Sequence, residues 1–320
     1  MTDNHNNSCW VCNGPVTSEQ VTLRGGIDTA ISVCTACDFH FFNKDNSRLL
    51  QKDQLDQTRL QRAGLDIPEV QRDFENGLLQ SRAYIDEFIS ENDRGRNVLE
   101  IGCSWGYFLH LAAKAGARPY GVEINPVRTR YVVDKLNIPC YENLAKLEEQ
   151  NLKFRKIFMF YVLEYIAEPR NYLSRLCNLL EDGGKLIFIT PNLRDVLKDI
   201  WHNEGYRAFF YDECAISYYS TVAVRRLMEK LESRPGSVEV STRQGYSFLN
   251  HASWHFTQKP GTTGIVGGDH YIENVSESLA AGNSSLGEAL SHLLVEFDTA
   301  YRETIEAADF GNQIQVKLVR

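Results

Sequence analysis

Val98-Leu99-Glu100-Ile101-Gly102-Cys103-Ser104-Trp105-Gly106 is the stretch that decides the fold. An apolar run ends in an acid and a glycine, and a second glycine opens the amphipathic run 107–115. Such a pattern reads as a buried strand, a sharp turn and a helix. Gly102 lets the chain bend and approach a ligand where a side chain would clash. Helix-start amides at Gly106 and Tyr107 suit an anionic group such as a carboxylate. The dinucleotide fingerprint spreads three glycines over six positions. Here Gly102 and Gly106 span five and the middle glycine is absent, so a pyrophosphate cradle is disfavoured. Twenty-one residues after Gly102, Glu123 ends Tyr120-Gly121-Val122-Glu123. An acid at the tip of the second strand suits paired hydrogen bonds to ribose hydroxyls.

Outward from this stretch the periods alternate. Strands are expected at 118–123, 138–141, 156–161 and 185–190, with helices at 126–136, 144–150 and 170–180. Pro126 can begin the first of these helices, and Gly183-Gly184 is expected to stop the last. Strands alternating with helices imply an α/β chain whose parallel sheet is covered on both faces. Before it, Arg94-Gly95-Arg96 marks a turn, and Phe74, Leu78, Tyr84, Ile85, Phe88 and Ile89 recur as in amphipathic helices. After it, the aromatic-rich run 192–219 reads as a segment covering a pocket. A helix is expected at 221–232, a strand at 238–242, a helix at 286–307 and a last strand at 314–319.

Cys9-x2-Cys12 and Cys34-x2-Cys37 are two knuckles 21 residues apart. Four thiolates from two tight turns suit tetrahedral zinc, with the spacing of a zinc ribbon. A redox dithiol is the competing reading, and two matched pairs disfavour it. A closed four-Cys site is structural, and so small a segment would hardly fold without the metal. Cys103, Cys140, Cys177 and Cys214 lie in or beside apolar segments and read as small buried hydrophobes.

The chain of 320 residues carries 34 basic and 42 acidic residues, a net charge of -8. That balance argues against a long nucleic-acid partner, because phosphate binding is driven by basic surface. No apolar run approaches the ~20 residues that span a bilayer. The polar start lacks an apolar signal core, so a cytoplasmic protein without membrane contact is expected.

Residues 97–192 resemble the class I S-adenosylmethionine-dependent methyltransferases. Residues 100–106 resemble the family's first motif, with Ser104 in place of its middle glycine. Phe160-Tyr161-Val162-Leu163-Glu164-Tyr165-Ile166 resembles the motif after the fourth strand, with Tyr165 where His is common. Leu179-Leu180-Glu181-Asp182-Gly183-Gly184 and Thr190-Pro191-Asn192 resemble the family's later turn and strand end. The resemblance implies a Rossmann-like, doubly wound seven-stranded sheet, with a small N-terminal zinc ribbon and a helical or irregular C-terminal cap. The expected divisions are 1–45 (zinc ribbon), 46–94 (helical lead-in), 95–243 (cofactor-binding core), 244–312 (substrate cap) and 313–320 (final strand). It implies S-adenosylmethionine contacts from Glu100, Gly102, Cys103, Gly106, Tyr107, Glu123, Ile124, Asn143, Leu144 and Tyr161. The four-Cys module, and more loosely Asn250-His251-Ala252-Ser253-Trp254 with Lys259-Pro260, resemble those of bacterial methyltransferases acting on nucleotide-linked sugars and natural products.

Methyl transfer from a sulfonium needs alignment, exclusion of water and, for many acceptors, a base. His251, Tyr165 and Glu164 are the leading candidates, with His202, Glu213, His255 and His270 behind them. Each is equally readable as an ordinary hydrogen-bonded loop residue, and Glu164 as a local cap. The expected activity is methylation of a small molecule, a sugar or natural-product intermediate. Two alternatives stand beside it. One is an RNA or protein methyltransferase gripping its substrate with the zinc module, although Arg24 is the only basic residue between positions 9 and 43. The other is a non-catalytic cofactor-binding module. The oligomeric state is open, a homodimer among the options.

Overall fold

The structure is a computed structural model and describes residues 8–42, 68–233, 235–259, 271–281 and 284–320. The chain divides into two compact units that do not follow sequence order. One holds residues 1–43, 191–225 and 240–315; the other holds 44–190, 226–239 and 316–320.

The second unit carries the α/β pattern. Its lead-in helix is α1 (Pro68–Phe88). The strands are β4 (Asn97–Ile101), β5 (Arg118–Val122), β6 (Cys140–Tyr141), β7 (Phe154–Phe160) and β8 (Leu180–Pro191). Helices α2 (Tyr107–Lys114), α3 (Pro126–Leu136), α4 (Leu144–Glu148) and α5 (Pro169–Leu179) lie between them in sequence. With β10 (Ser237–Arg243) and β11 (Gln313–Val319), the sheet has seven strands in the order β10-β11-β8-β7-β4-β5-β6. All pairings from β6 through β8 are parallel. The chain runs outward from β4 to β6 and then returns to place β7 on the other side of β4. In open sheets of this kind ligands bind at such a reversal, beyond the carboxyl ends of the strands, here β4 and β7. The strands are buried apolar runs: Val98, Leu99, Ile157, Phe158, Leu186 and Phe188 are inaccessible.

One boundary differs from the sequence reading. The glycine pair does not end a helix. α5 stops at Leu179, and Gly183-Gly184 lies inside β8, where the register jumps from Phe154↔Leu180 to Lys156↔Lys185. Gly183 takes φ +69, and a Cβ on Gly184 would lie 2.9 Å from the Glu181 carbonyl oxygen and 3.0 Å from that of Phe154. The glycines therefore serve a strand bulge. Elsewhere the differences are of a few residues. Pro126 does open α3, and Asn125 caps it by accepting from the Val127 and Arg128 amides.

The first unit contains a four-stranded sheet, order β1-β2-β3-β9, from β1 (Val16–Thr22), β2 (Asp28–Cys34), β3 (His40–Phe41) and β9 (Ser217–Tyr218). The two Cys knuckles flank the β1–β2 hairpin, and β3 pairs antiparallel with β9 through His40↔Tyr218. The cysteine segment is thus built into a sheet with residues from beyond β8. Phe39 and Tyr219 are fully buried with rings 4.9 Å apart. The unit also holds α6 (Val196–Asp199), α7 (Glu204–Phe210), α9 (Phe248–Thr257), α10 (Tyr271–Ala280) and α11 (Ser285–Ala307). Between α7 and α9 in sequence lies α8 (Thr221–Glu229).

Candidate functional site

The turn after β4 is built from left-handed residues. Gly102 takes φ +72, Ser104 +51 and Gly106 +77. A Cβ on Gly102 would meet Val162 Cγ2 at 2.5 Å, and one on Gly106 would meet Val132 and Leu136 methyls at 2.9 Å. Both positions therefore demand glycine for space as well as for backbone. Ser104 has no such excuse, since a side chain at positive φ is strained. What holds it there is Glu123. The Ser104 amide donates to Glu123 Oε2 at 2.8 Å, and the Asn125 amide donates to Oε1 at 2.8 Å. The Thr129 hydroxyl fixes the Glu123 backbone by donating to its carbonyl at 2.7 Å. The ribose candidate thus ties together the turns after β4 and β5, a role that residue spacing did not announce.

Glu100 lies beneath this turn, 5% exposed. Its Oε2 has no hydrogen-bond partner among the described residues. Burial first, then the Glu123 and Cys140 charges, push its carboxyl well above the usual range. A buried carboxyl with an idle oxygen is costly unless a donor or cation reaches it. The orphan therefore fits a cationic ligand lying over the turn. Cys103 is buried, its Sγ 3.7 Å from Cys140 Sγ, and Gly121 makes room for both sulfurs. Tyr107 opens α2; burial raises its phenol above the normal range.

Ile124 is 55% exposed and Tyr161 38%, the latter at φ +56 with its amide donating to the Ile189 carbonyl. Two apolar surfaces are thereby left open at the carboxyl ends of β5 and β7. Asn143 uses its side chain to cap α4 by accepting from the Lys146 amide, and Leu144 is buried behind it. Glu164 and Tyr165 sit in one turn of 3-10 helix after β7; Glu164 is buried and accepts from the Thr190 hydroxyl at 3.1 Å.

The other base candidates lie in the first unit. His251 is inaccessible on α9. Gln244 donates from Nε2 both to the Tyr246 carbonyl at 2.9 Å and to His251 Nε2 at 3.3 Å. The carbonyl fixes the amide's orientation, which leaves the imidazole proton on Nδ1, 2.8 Å from Tyr301 Oη. Trp201 packs beside both His251 and His255, with ring centroids 6.2 and 5.5 Å away. His202 is in contact with Arg207, and Glu213 fills the space over Gly25. His270 and Pro260 lie outside the described residues.

The sulfur atoms of Cys9, Cys12, Cys34 and Cys37 all lie within 4.8 Å of one another. The nearest pairs are 3.7 Å (Cys9–Cys37) and 3.5 Å (Cys12–Cys34). A tetrahedron with Zn–S of about 2.3 Å has edges of roughly 3.8 Å. The knuckles match: Asn13 and Asp38 take φ +62 and +56, their amides donating to the Cys9 and Cys34 carbonyls. Val11 and Gly14 amides point at Cys9 and Cys12 sulfurs at 3.3 Å. Amides aimed at sulfur are the outer support that thiolate ligands use.

Comparison with known proteins agrees with this geometry. Residues 75–232 match the family described as methyltransferase domain. Over 106 residues the chain is 29% identical to a ubiquinone biosynthesis O-methyltransferase of Coxiella burnetii, 31% of this chain and 45% of that protein. The chain spans less than half the length of that relative. Among solved structures, a SAM-dependent methyltransferase from Archaeoglobus fulgidus aligns over 77% of this chain and 94% of its own, at 17% identity and TM-score 0.46. The magnesium protoporphyrin IX methyltransferase of Synechocystis with bound SAM aligns over 62% and 90%, at 16% identity and TM-score 0.40. The glycine turn and its two acids fall within the stretch that the family match covers: residues 75–232 match a methyltransferase domain.

Proposed function

We propose that this chain binds S-adenosylmethionine over the β4 turn and transfers its methyl group to a small-molecule acceptor. The observation that carries this reading is the turn itself: left-handed Gly102 and Gly106, with Glu123 at the neighbouring strand tip and the orphaned Glu100 oxygen below. Glu123 accepts the Ser104 and Asn125 amides, which fixes its carboxylate at the strand tip where an acid suits ribose hydroxyls. Gly102 permits close approach, and the open faces of Ile124 and Tyr161 suit an adenine and an apolar chain. When bound, the cofactor supplies an activated methyl on a sulfonium leaving group. The chain's own residues need then only align the acceptor, exclude water and take up a proton.

For the proton we assign His251, Glu164 and Tyr165 as candidates. His251 must first release the Gln244 amide at Nε2 to act as a base. His251→Ala is expected to lower turnover and spare cofactor affinity; full turnover would remove it. The acceptor class we favour is a sugar or natural-product intermediate. Support comes from the acidic overall charge and the four-Cys module. A relative named for ubiquinone biosynthesis also points to small acceptors. The four cysteines would hold zinc in a structural role, checked by elemental analysis for one zinc per chain. No helix among the described residues is long and apolar enough to cross a membrane. Calorimetry with S-adenosylhomocysteine tests the cofactor reading, and label transfer from methyl-labelled S-adenosylmethionine to a panel of nucleotide sugars tests the acceptor. No heat from folded protein would sink the first; label on RNA or protein alone would sink the second.

A further inference from the structure

Helix α1 turns one face inward at alternating spacings of four and three residues: Val70, Gly77, Ser81 and Phe88 are buried, Phe74 and Tyr84 half-buried. Its C-terminal half packs on the sheet, with Tyr84 stacked 4.5 Å from Phe160. Its N-terminal half packs on the β4 turn. Val70 shares an apolar cluster with Trp105 and Val127, edged by Phe74, Tyr107 and Tyr131. The Phe74 ring sits 6.4 Å from Tyr107 and 5.8 Å from Tyr131.

Between these contacts stands Gly77. Its backbone is ordinary helix, absent from the positive-φ residues. Nothing in the backbone asks for glycine, and a helix interior disfavours it. Space does ask for it. A Cβ at Gly77 would lie 2.2, 2.4 and 2.5 Å from Tyr107 Cδ1, Cε1 and Cγ. Carbon atoms pack at about 3.5–4.0 Å. The atoms it would strike belong to the root and edge of the half-buried Tyr107 ring, which Phe74 flanks with ring centroids 6.4 Å apart, and not to the far end of a flexible side chain. Tyr107 is the first residue of α2, directly after left-handed Gly106. A displaced Tyr107 ring moves the end of the turn that Gly102 and Ser104 begin.

We propose that α1 is a clamp on the cofactor turn and that Gly77 is its positioning residue, setting how closely the helix approaches Tyr107. The inference rests on the cofactor reading above and names a determinant of affinity outside the turn itself. Because alanine favours helix, Gly77→Ala on an uncrowded face would raise the melting temperature. With the clamp, it lowers the melting temperature and weakens S-adenosylhomocysteine about tenfold, measured by calorimetry well below the transition, where a purely structural defect leaves affinity unmoved.

The control is a cycle with Tyr107→Ala, which removes Cγ, Cδ1 and Cε1 together. Once the ring is gone, adding Gly77→Ala should leave affinity unchanged and raise the melting temperature, as on an uncrowded face. Should Gly77→Ala alone fail to fold, the double variant is still expected to fold, because its only obstacle has been removed. Wild-type affinity or a raised melting temperature in the single variant Gly77→Ala, strictly additive losses, or a double variant that does not fold would each overturn the clamp. Failure of the wild-type protein to bind S-adenosylhomocysteine would instead overturn the cofactor reading, leaving the melting-temperature cycle to judge the clamp.

Discussion

Ser104 is held at φ +51 by Glu123, whose Oε2 accepts the Ser104 amide at 2.8 Å. The acid at the tip of β5 is thereby part of the architecture of the turn after β4. Glu123→Gln keeps shape but offers one acceptor oxygen, so either Ser104 or Asn125 loses its partner. Hydrogen bonds to a charged group contribute about 1.5–3 kcal/mol. The variant is expected to lose stability in that range by denaturant unfolding and to bind S-adenosylhomocysteine at least tenfold more weakly. Unchanged affinity would count against the ribose assignment.

Gly102 is expected to tolerate no side chain. Gly102→Ala places a methyl 2.5 Å from Val162 Cγ2 at φ +72. Backbone strain of this kind costs about 1–3 kcal/mol. Adding Val162→Ala should recover the steric part of the loss and leave the backbone part. Full recovery in the double variant would show that the left-handed conformation itself is not required.

Glu100 makes a prediction in pH. Its folded carboxyl titrates well above the ordinary range because it is buried near Glu123 and Cys140. The folded state therefore holds a proton that the unfolded chain releases near pH 4.3. Stability falls as pH rises from there toward the folded value. Glu100→Gln removes that penalty. Its melting temperature should exceed wild type at pH 7–8, with the difference vanishing below about pH 4, while cofactor affinity falls. A melting temperature that stays at or below wild type at pH 8 would show that the carboxyl is not a strained group kept for a ligand.

Metal removal should be felt across the sheet of the first unit. The knuckles brace β1 and β2, and β3 continues that sheet into β9. Chelation, or Cys34→Ser, is expected to flatten the near-ultraviolet dichroism of Trp10, Phe39, Phe41 and Tyr219, whose rings pack within 4.4 to 6.2 Å. It should also release one zinc. Unaltered aromatic signals after complete chelation would mean that the cysteines hold together without a metal.

Much of this was legible before any tertiary structure. The strand-turn-helix at 98–107, the acid at position 123 and the Cys knuckles are short-range patterns, and chain chemistry within a few residues specifies each. The alternation of strands and helices came through for the same reason. Other features were not readable. Gly183-Gly184 looks like a helix stop, and only the pairing of β8 with β7, whose register jumps there, makes it a bulge. Gly77 looks like a flaw in an amphipathic helix until Tyr107 is set against it. His251 has the residue type of a base, but Gln244 and Tyr301 determine which nitrogen carries its proton.

By itself the sequence determined where the chain must turn, which residues could ligate a metal and which acids could face a nucleoside, because these depend on glycine's backbone freedom and on donor chemistry at fixed spacing. Only the tertiary structure decided that β7 returns beside β4, that Glu123 grips the Ser104 amide, and that the cysteine segment joins one sheet with residues 217–218. Those outcomes hang on burial and hydrogen bonds between residues far apart in the chain, whose partners no local pattern names.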